Sequence, residues 1–355
     1  MPLLQPNQGG SVPLASTSAA REDLADYIAI VDQKSTPLVS MAPKGKDLGN
    51  MQFSWLVDNY QAPQLQGVVD GTDVTVSSAS NPVTNRTRLN NYAQAFRRDL
   101  RVGFIAQTQD VAGVTNEIAN GVAKKLVELK RDMEATFACT NQASQADNGS
   151  NPYLTGSLGN WLTSTNASNI GACASGSVFL PAAAAIDTTA SASFTEATVQ
   201  NVLTAIYGNT GVFRDYDALL GTTLKRAFTN LTAGGGAVIN GAGTTNTYTQ
   251  TAVRTFNQEL SSDTFKSSID IFEGDFGRLV LHPSTFIGGK NSAALSAQAY
   301  KGYVIPMDML EIRYSKLPEV LTLPDAGGGP ARLVQAIAGL VVKNPSGFGM
   351  FNGAS

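Results

Sequence analysis

The chain has 355 residues, enough for one large domain or two smaller ones, each with a buried core. Only 15% of the residues are charged, below the roughly 25% that is usual for soluble domains. The net charge of −3 gives no sign of the basic stripe expected of a protein that grips nucleic acid. Uncharged polar residues cost less to bury than ions, so this composition favours extensive contact between chains over a lightly charged secreted protein.

The residue types that usually carry chemistry are few. Two cysteines, Cys139 and Cys173, lack CxxC spacing and are expected to be free structural thiols, not a disulfide scaffold or zinc site. The single histidine, His282, ends an apolar run before a proline, which favours a strand-end residue over a general base or metal ligand. Glycine runs at 234–236 and 327–329 lack the Gly-Lys-Ser/Thr continuation of a phosphate loop. We therefore expect no catalytic, cofactor-binding or metal site, and no enzymatic activity.

The first residues carry no signal-peptide pattern, and no run of about 18 apolar residues could span a membrane. We therefore expect a protein that is soluble and intracellular when made. Residues 1–20 are polar and aperiodic, which predicts an extended arm. Residues 21–33 have helical apolar spacing, and the following Thr36-Pro37 should end that helix, because proline restricts its predecessor to extended geometry.

The period changes to two where Met51, Phe53, Trp55 and Val57 alternate with mostly polar residues. A polar excursion follows, and the chain returns through residues 84–92 and on to about 104. Two long limbs joined by a polar tip indicate an extended β-hairpin. Such a hairpin has too little apolar content on both faces to form a core alone, so it should lie on another surface, such as a neighbouring subunit.

A helix is predicted over residues 113–139, where apolar residues recur three or four positions apart along one face: Ile118, Val122, Leu126, Leu129, Met133 and Phe137. Thr115 or Asn116 can cap its start. Lys124 with Glu128, and Lys130 with Glu134, would form ion pairs on the exposed side. At about 1.5 Å per residue the helix would approach roughly 40 Å, the length of a spine lying across a sheet.

The rest of the chain alternates between polar stretches and regular structure. Residues 140–193 predict a loop or insertion of low regular content. Two helices should follow, one capped by Ser193 or Thr195 and one over 219–228. A hairpin of 268–274 with 277–281 and strands at 303–306, 310–314 and 331–342 complete an α+β chain with mostly antiparallel strands.

Several segments, taken together, resemble a known family. They are Arg-Glu-Asp-Leu-Ala-Asp at 21–26, Ser-Thr-Pro-Leu at 35–38, Phe-Ser-Trp-Leu-Val-Asp at 53–58, Asn-Tyr at 91–92, Glu-Leu-Lys-Arg-Asp-Met-Glu at 128–134 and Asp-Ile-Phe-Glu-Gly-Asp-Phe-Gly at 270–277. Their order and spacing, from about residue 20 onward, resemble the major capsid proteins of tailed bacteriophages with the Hong Kong 97-like fold.

The resemblance implies an architecture for each part of the chain. It consists of an N-terminal arm at 1–45, an extended β-hairpin loop at 46–105, a peripheral domain at 106–194 with the spine helix and the insertion loop, an axial domain at 195–265, and the remaining strands of both domains at 266–355. Residues 140–193 and 307–313 depart from the family pattern.

The resemblance also implies a function. Copies of the chain would assemble, as hexamers and pentamers, into an icosahedral shell that encloses double-stranded DNA without sequence-specific binding. Assembly would take place in the host bacterial cytoplasm, with a portal and a separate scaffolding protein as partners. The sequence leaves open whether a decoration protein also binds the shell. Two alternatives remain: an encapsulin-like nanocompartment shell that encloses enzyme cargo, and a secreted surface-layer or adhesin protein.

Candidate intersubunit contacts lie on the limbs and at the base of the predicted hairpin. The aromatic candidates on the limbs are Phe53, Trp55, Tyr60 and Tyr92. The basic candidates at the base are Arg97, Arg98 and Arg101. The alternative for each is packing within its own subunit or ordinary exposure to solvent.

Some proteins of the resembling family cross-link covalently through a lysine on the extended loop. Here residues 48–123 contain no lysine, so we expect no such cross-link. Assembled protein boiled in denaturant should run as a single monomer band on a gel. A ladder of covalent multimers would contradict this prediction.

Overall fold

The computed structural model describes residues 32, 34–60, 63, 65, 67–73, 86–108, 116–139, 142–162, 179–190, 193–232, 269–287, 300–325 and 327–353. The arm predicted at 1–20, most of the helix predicted at 21–33 and Cys173 lie outside these residues.

Helices and strands both contribute to the fold, as predicted. The α-helices are α1 Pro37–Met41, α2 Phe104–Thr108, α3 Glu117–Glu134, α4 Leu158–Trp161, α5 Glu196–Thr210 and α6 Thr222–Thr232. The strands are β1 Gln52–Val57, β2 Thr87–Tyr92, β3 Gln94–Arg101, β4 Ile186–Asp187, β5 Arg214–Leu220, β6 Ile271–Gly274, β7 Gly277–Pro283, β8 Lys301–Ile305, β9 Leu310–Leu323, β10 Ala331–Val342 and β11 Gly349–Asn352.

These strands form three sheets. The hairpin β1–β2 stands as a two-stranded sheet, and a second sheet has the order β3-β10-β9. The third has six strands in the order β4-β11-β8-β5-β7-β6. Only the β4–β11 and β5–β7 neighbours are parallel among the described strands, so the prediction of mostly antiparallel pairing is confirmed.

The three-stranded sheet packs on α3 through alternate residues of β3. The ring of Phe96 meets that of Phe137 edge-on at 5.9 Å, and Leu100 lies against Gly121. A Cβ at residue 121 would come within 2.9 Å of a Leu100 methyl group, so glycine permits this close approach of helix and sheet. The successive side chains of a strand point to opposite faces, so the odd-numbered residues of β3 face away from the helix.

Helix α3 differs in length from its prediction. It starts after Asn116, whose Oδ1 accepts the N–H groups of Ile118 at 3.0 Å and Ala119 at 3.1 Å. The α-helix ends at Glu134 and continues as a π-helix over Ala135–Cys139, so the continuous α-helix predicted to residue 139 is wrong in its last turn. The three apolar residues in its second half are fully buried, as predicted: Leu129, Met133 and Phe137.

The ion pairs predicted along α3 are wrong. Lys125, not Lys124, binds Glu128, with 2.8 Å between Nζ and Oε2. Glu134 lies on the buried side of the helix, because its carboxylate accepts hydrogen bonds from α1. Helical spacing alone places residue 134 four positions from Lys130, but it cannot reveal a partner far away in sequence.

A second core lies between the six-stranded sheet and helices α5 and α6. Thr195 forms a capping box with Thr198, and Gly211 ends α5 in the left-handed region at φ 65°. The helix predicted over 219–228 starts later than expected, because Leu219 and Leu220 are the last residues of β5. Both are fully buried between neighbouring strands, and a short apolar run suits a buried strand as well as a helix.

The segment 142–162 has little regular structure, as predicted, and residues 146–152 are exposed, whereas residues 155–162 are buried. Its short helix α4 is buried, including Leu158 and Trp161. The later strands follow the prediction closely. The β6–β7 hairpin turns at Asp275-Phe276. Strand β9 is longer than expected: it pairs with β10 as far as Leu323, with register shifts near Ile337.

One close contact yields a stability prediction. A Cβ at Gly339 would lie 2.5 Å from Cε1 of the buried Phe53, whereas a Cβ at Gly208 in α5 would meet nothing within 4 Å. Gly339→Ala should therefore lower the free energy of unfolding by about 1–3 kcal/mol through overpacking. Gly208→Ala should raise it by about 0.5–1 kcal/mol through helix propensity. Urea unfolding of the unassembled subunits measures the free energy of unfolding of both variants. Equal changes in the two variants would contradict the close contact between Gly339 and Phe53.

Candidate intersubunit interface

The hairpin is fastened to the body of the subunit by one buried amide. Asn91 Nδ2 donates to the Leu340 carbonyl at 2.7 Å and to Thr155 Oγ1 at 3.3 Å. Its Oδ1 accepts the N–H groups of Gly156 at 2.8 Å and Tyr92 at 2.9 Å. The amide thus satisfies donors and acceptors of β2, β10 and the segment 142–162 at once.

Aromatic packing supports the same attachment. Trp55 Nε1 donates to the Lys343 carbonyl at 3.1 Å, and its ring lies 5.4 Å from that of Trp161. Phe53 stacks on Trp55 at 6.1 Å and is buried, while the half-buried Tyr92 lies 5.8 Å from Tyr153. These three predicted contact residues therefore pack within their own subunit, which was the alternative considered for them.

Beyond Val57 the hairpin leaves the body of the subunit. We call the described residues 58–60, 63, 65 and 67–73 the hairpin tip. Tyr60 is 95% exposed and Leu65 97% exposed, and Val68 and Val69 are nearly as open. Large apolar side chains grouped in solvent mark a surface that contacts another molecule. Tyr60 is thus the aromatic candidate that is free to touch a neighbour.

The three candidate arginines of β3 fall on opposite faces of the strand. Arg98 faces α3 and forms a two-pronged ion pair with Asp132, with both N–O distances at 2.6 Å. This hydrogen bonding raises the pKa of Arg98 above its ordinary value, although partial burial opposes it. Arg97 and Arg101 point away from α3 and are exposed.

We call the side of the three-stranded sheet that carries Arg97 and Arg101 its outer face. Across the strands Arg97 is paired with Gln335, and Gln335 with Glu319. Gln335 Nε2 donates to Glu319 Oε1 at 2.8 Å, and the Lys316 Nζ lies 2.6 Å from the same oxygen. The outer face also carries the apolar Leu333 and Leu321, which are paired across the strands beside Asp99. Its β9 end carries a connected group of hydrogen bonds.

A second buried group ties the chain that precedes the hairpin to α3. The Glu134 carboxylate is fully buried and accepts the N–H groups of Leu38 at 3.0 Å and Val39 at 2.8 Å. N–H groups in the first turn of a helix have no acceptor within the helix, and the Thr36 side chain does not cap these two. The Glu134 carboxylate takes that role. Burial raises the pKa of Glu134 to about 7, while the two backbone hydrogen bonds act in the opposite direction.

The single histidine of the chain, His282, lies in the six-stranded sheet. His282 sits near the end of β7, as predicted, with its Nε2 2.9 Å from Asp217 Oδ1 on the adjacent β5. In the described part of the chain, His, Cys, Asp and Glu side chains do not gather in threes at metal-binding distance. Among the helices that the structure describes, none has the length and apolarity needed to cross a bilayer.

Comparison with known proteins identifies the family. The family model described as "SU10 major capsid protein" matches residues 8–355. The chain belongs to the SU10 major capsid protein family. A search among curated protein sequences gave no match. The SU10 family is a structural family whose members form phage shells, so the chain is a shell-forming protein and a component of the virion.

Solved structures share the fold across nearly the whole chain. A Gordonia phage Cozz structure is 14% identical, with a TM-score of 0.55, and the alignment covers 99% of this chain and 98% of that one. The capsid of a native GTA particle is 13% identical, with a TM-score of 0.56 and coverage of 96% and 98%. The capsid of Myoviridae phage XM1 is 10% identical, with a TM-score of 0.54 and coverage of 98% and 100%. The Hong Kong 97-like fold predicted for the chain is therefore confirmed.

The buried Glu134 yields a prediction about pH. Because its pKa rises from the ordinary 4.5 to about 7 on folding, the folded state binds the proton more tightly than the unfolded state. The free energy of unfolding should therefore fall by about 3 kcal/mol as the pH rises from about 4.5 to about 7, and then level off. Glu134→Gln should abolish this dependence.

Urea unfolding of wild type, Glu134→Gln and Glu128→Gln between pH 4.5 and 8 measures the effect. Glu128 lies on the same helix but is only partly buried beside Lys125, so Glu128→Gln serves as the matched control and should keep the slope of wild type. Parallel curves for wild type and Glu134→Gln would show that Glu134 does not titrate in this range.

Proposed function

We propose that copies of this chain associate as hexamers and pentamers into the icosahedral shell of a tailed phage, and that this shell encloses double-stranded DNA. The family match over residues 8–355 carries the proposal. The exposed hairpin tip supports it, because a two-stranded projection without its own core needs a surface outside its subunit.

In this proposal the candidate residues divide by position. Tyr60 on the hairpin tip and Arg97 and Arg101 on the outer face contact neighbouring subunits. Phe53, Trp55, Tyr92 and Arg98 act inside the subunit, where they hold the hairpin and β3 at a fixed angle to α3. A rigid base lets a long projection reach the same point on every neighbour.

We also propose the domain division that the family resemblance implies: an arm at 1–45, an extended loop at 46–105, a peripheral domain at 106–194, an axial domain at 195–265 and shared strands at 266–355. The two cores support it. The core around α3 and the three-stranded sheet, which also takes in Leu219 and Tyr303 of the six-stranded sheet, fits the peripheral domain. The core around α5, α6 and the six-stranded sheet fits the axial domain.

A shell gains its stability from many modest interfaces. A specific interface buries on the order of 1,200–2,000 Å² in total, and ring closure makes each further contact effectively intramolecular. The charged fraction of 15% suits this, because few charged side chains are then buried without a partner when subunits associate. The net charge of −3 suits a container that holds DNA without gripping it.

The proposed partners are a portal and a separate scaffolding protein, with assembly in the cytoplasm of the bacterial host. We propose that the chain has no enzymatic activity of its own. The family match favours a phage shell over a nanocompartment of the same fold or a secreted surface protein.

Negative-stain electron microscopy of the purified chain tests the proposal directly. Closed shells, tubes or capsomer rings are expected, either from the chain alone or after a scaffolding protein from the same phage is added. A strictly monomeric protein at high concentration, unchanged by that scaffolding protein, would refute the proposed assembly.

A further inference from the structure

We infer that a cleft at the base of the hairpin binds a small oxyanion, such as inorganic phosphate or a carboxylate group. The cleft lies where four parts of the chain meet: the residues just after β1, the end of α5, the start of β5 and the turn after β10. We call it the Arg214 cleft. Its polar lining residues are Asn59, Asn209, Thr210, Arg214, Asn344 and Ser346.

The cleft has room for such an ion. Its volume is about 160 Å³, whereas roughly 10–15 Å³ suffices for one water molecule. Phe179, Val212 and Met309 form the apolar parts of its wall. Apolar walls strengthen the attraction between a bound ion and its polar partners, because they lower the local dielectric constant.

Arg214 presents one side of its guanidinium group to a ligand. Its Nη1 forms an ion pair with the Asp308 carboxylate, whereas its Nε is buried and has no hydrogen-bond partner. A guanidinium group fits a carboxylate or a phosphate through two parallel hydrogen bonds. The Asp308 pair uses the Nη1 side, so the Nε side remains for a second oxyanion. A buried N–H without an acceptor destabilises the folded state, which favours a ligand at this position.

Asn344 adds a donor whose direction is fixed. Its Oδ1 accepts the backbone N–H of Ser346 at 3.2 Å and the Ser346 hydroxyl at 2.8 Å. The NH₂ of the same amide must therefore point the other way, because only the oxygen can accept. The Thr210 hydroxyl donates to the Ile206 carbonyl at 2.9 Å, so it has no hydrogen left for a ligand. The Arg214 Nε and the Asn344 NH₂ are thus the donors that the fold leaves for an anion.

The charges in the cleft also suit an anion. Among the described residues that line it there is no Asp or Glu, and Arg214 supplies a positive charge. The amides of Asn59 and Asn209 lie exposed at its opening, where either can turn an NH₂ toward a ligand. Asp308 offsets part of the charge of Arg214, so the affinity should be moderate and should fall as salt is added.

A bound oxyanion would connect the hairpin to the second core. Asn59 follows β1 by two residues, whereas Asn209 lies in the last turn of α5. An ion that contacts both amides and Arg214 would fix the base of the hairpin against α5 and β5. This role is additional to the proposed shell function, and it can be tested on subunits that have not assembled.

Isothermal titration of the full-length, unassembled chain with sodium phosphate tests the site, with sodium chloride holding the ionic strength constant. Wild type should bind one phosphate per chain with a saturable curve. Asn344→Asp should weaken binding at least about tenfold, because it keeps the Oδ1 acceptor for Ser346 but replaces the free NH₂ with a negative oxygen. Arg214→Lys should also weaken it, because a lysine can still pair with Asp308 but has no Nε side to offer.

Asn148→Asp is the matched control. The Asn148 Oδ1 also accepts a backbone N–H, from Asn151 at 2.8 Å, but in an exposed turn outside the cleft. The substitution therefore adds the same charge and should leave phosphate binding unchanged. Acetate, titrated in the same way, distinguishes a site for carboxylates from a site for phosphate. Circular dichroism confirms that each variant is folded.

The outcomes decide the inference separately from the shell function. If neither phosphate nor acetate binds with a saturable curve, the cleft contains only water and the inference is wrong. If Asn344→Asp and Asn148→Asp bind as wild type does, or lose affinity equally, the anion binds elsewhere, and this also overturns the inference. Neither result bears on assembly, which electron microscopy measures independently.

Discussion

The buried side-chain amide of Asn91 holds together three parts of the chain that lie far apart in sequence. It bonds to Leu340 on β10, to Thr155 and Gly156 in the segment 142–162, and to its own strand. Without it, a buried carbonyl and a buried N–H would lose their partners, at about 1–3 kcal/mol for each group. A two-stranded hairpin has no core of its own, so its direction depends on this anchor and on the neighbouring Trp55.

Strand alternation then assigns each side chain to the subunit or to its surroundings. On β3, Arg98 turns inward to Asp132 while Arg97 and Arg101 turn outward. On the hairpin, the aromatic residues near the base pack inward, whereas Tyr60 at the tip is exposed. The hairpin and β3 therefore contain both the residues that fix them to the subunit and the residues that they expose.

Much of this arrangement could be predicted from the sequence. The period-two pattern around Phe53 and Trp55 predicted the hairpin, and the apolar stripe through Leu129 and Met133 predicted the long helix. The same period of two would have separated Arg98 from Arg97 and Arg101, had it been applied to the candidates at the base.

Other features could not be predicted, because they depend on residues distant in sequence. Glu134 has the spacing of a surface ion pair, yet it is buried because Leu38 and Val39 lie against it. Leu219 and Leu220 fit a helix or a buried strand equally well until their neighbours in the sheet are known. The place of β9 beside β10 depends on which strands pair, and local patterns do not determine that.

The position of β10 in the sheet has a consequence for the order of events during synthesis. This strand lies between β3 and β9, and Ala331 on β10 pairs with Arg101 on β3, so the sheet joins residues made early with residues made late. At roughly 5–20 residues per second, a ribosome needs on the order of 10–50 s to travel between them. Until then the hairpin has no anchor at Leu340, and Phe53 and Trp55 have no complete site to fill. A nascent chain shorter than this thus cannot hold the hairpin in its final orientation, and the chain must be synthesised past Lys343 before it can join a growing particle.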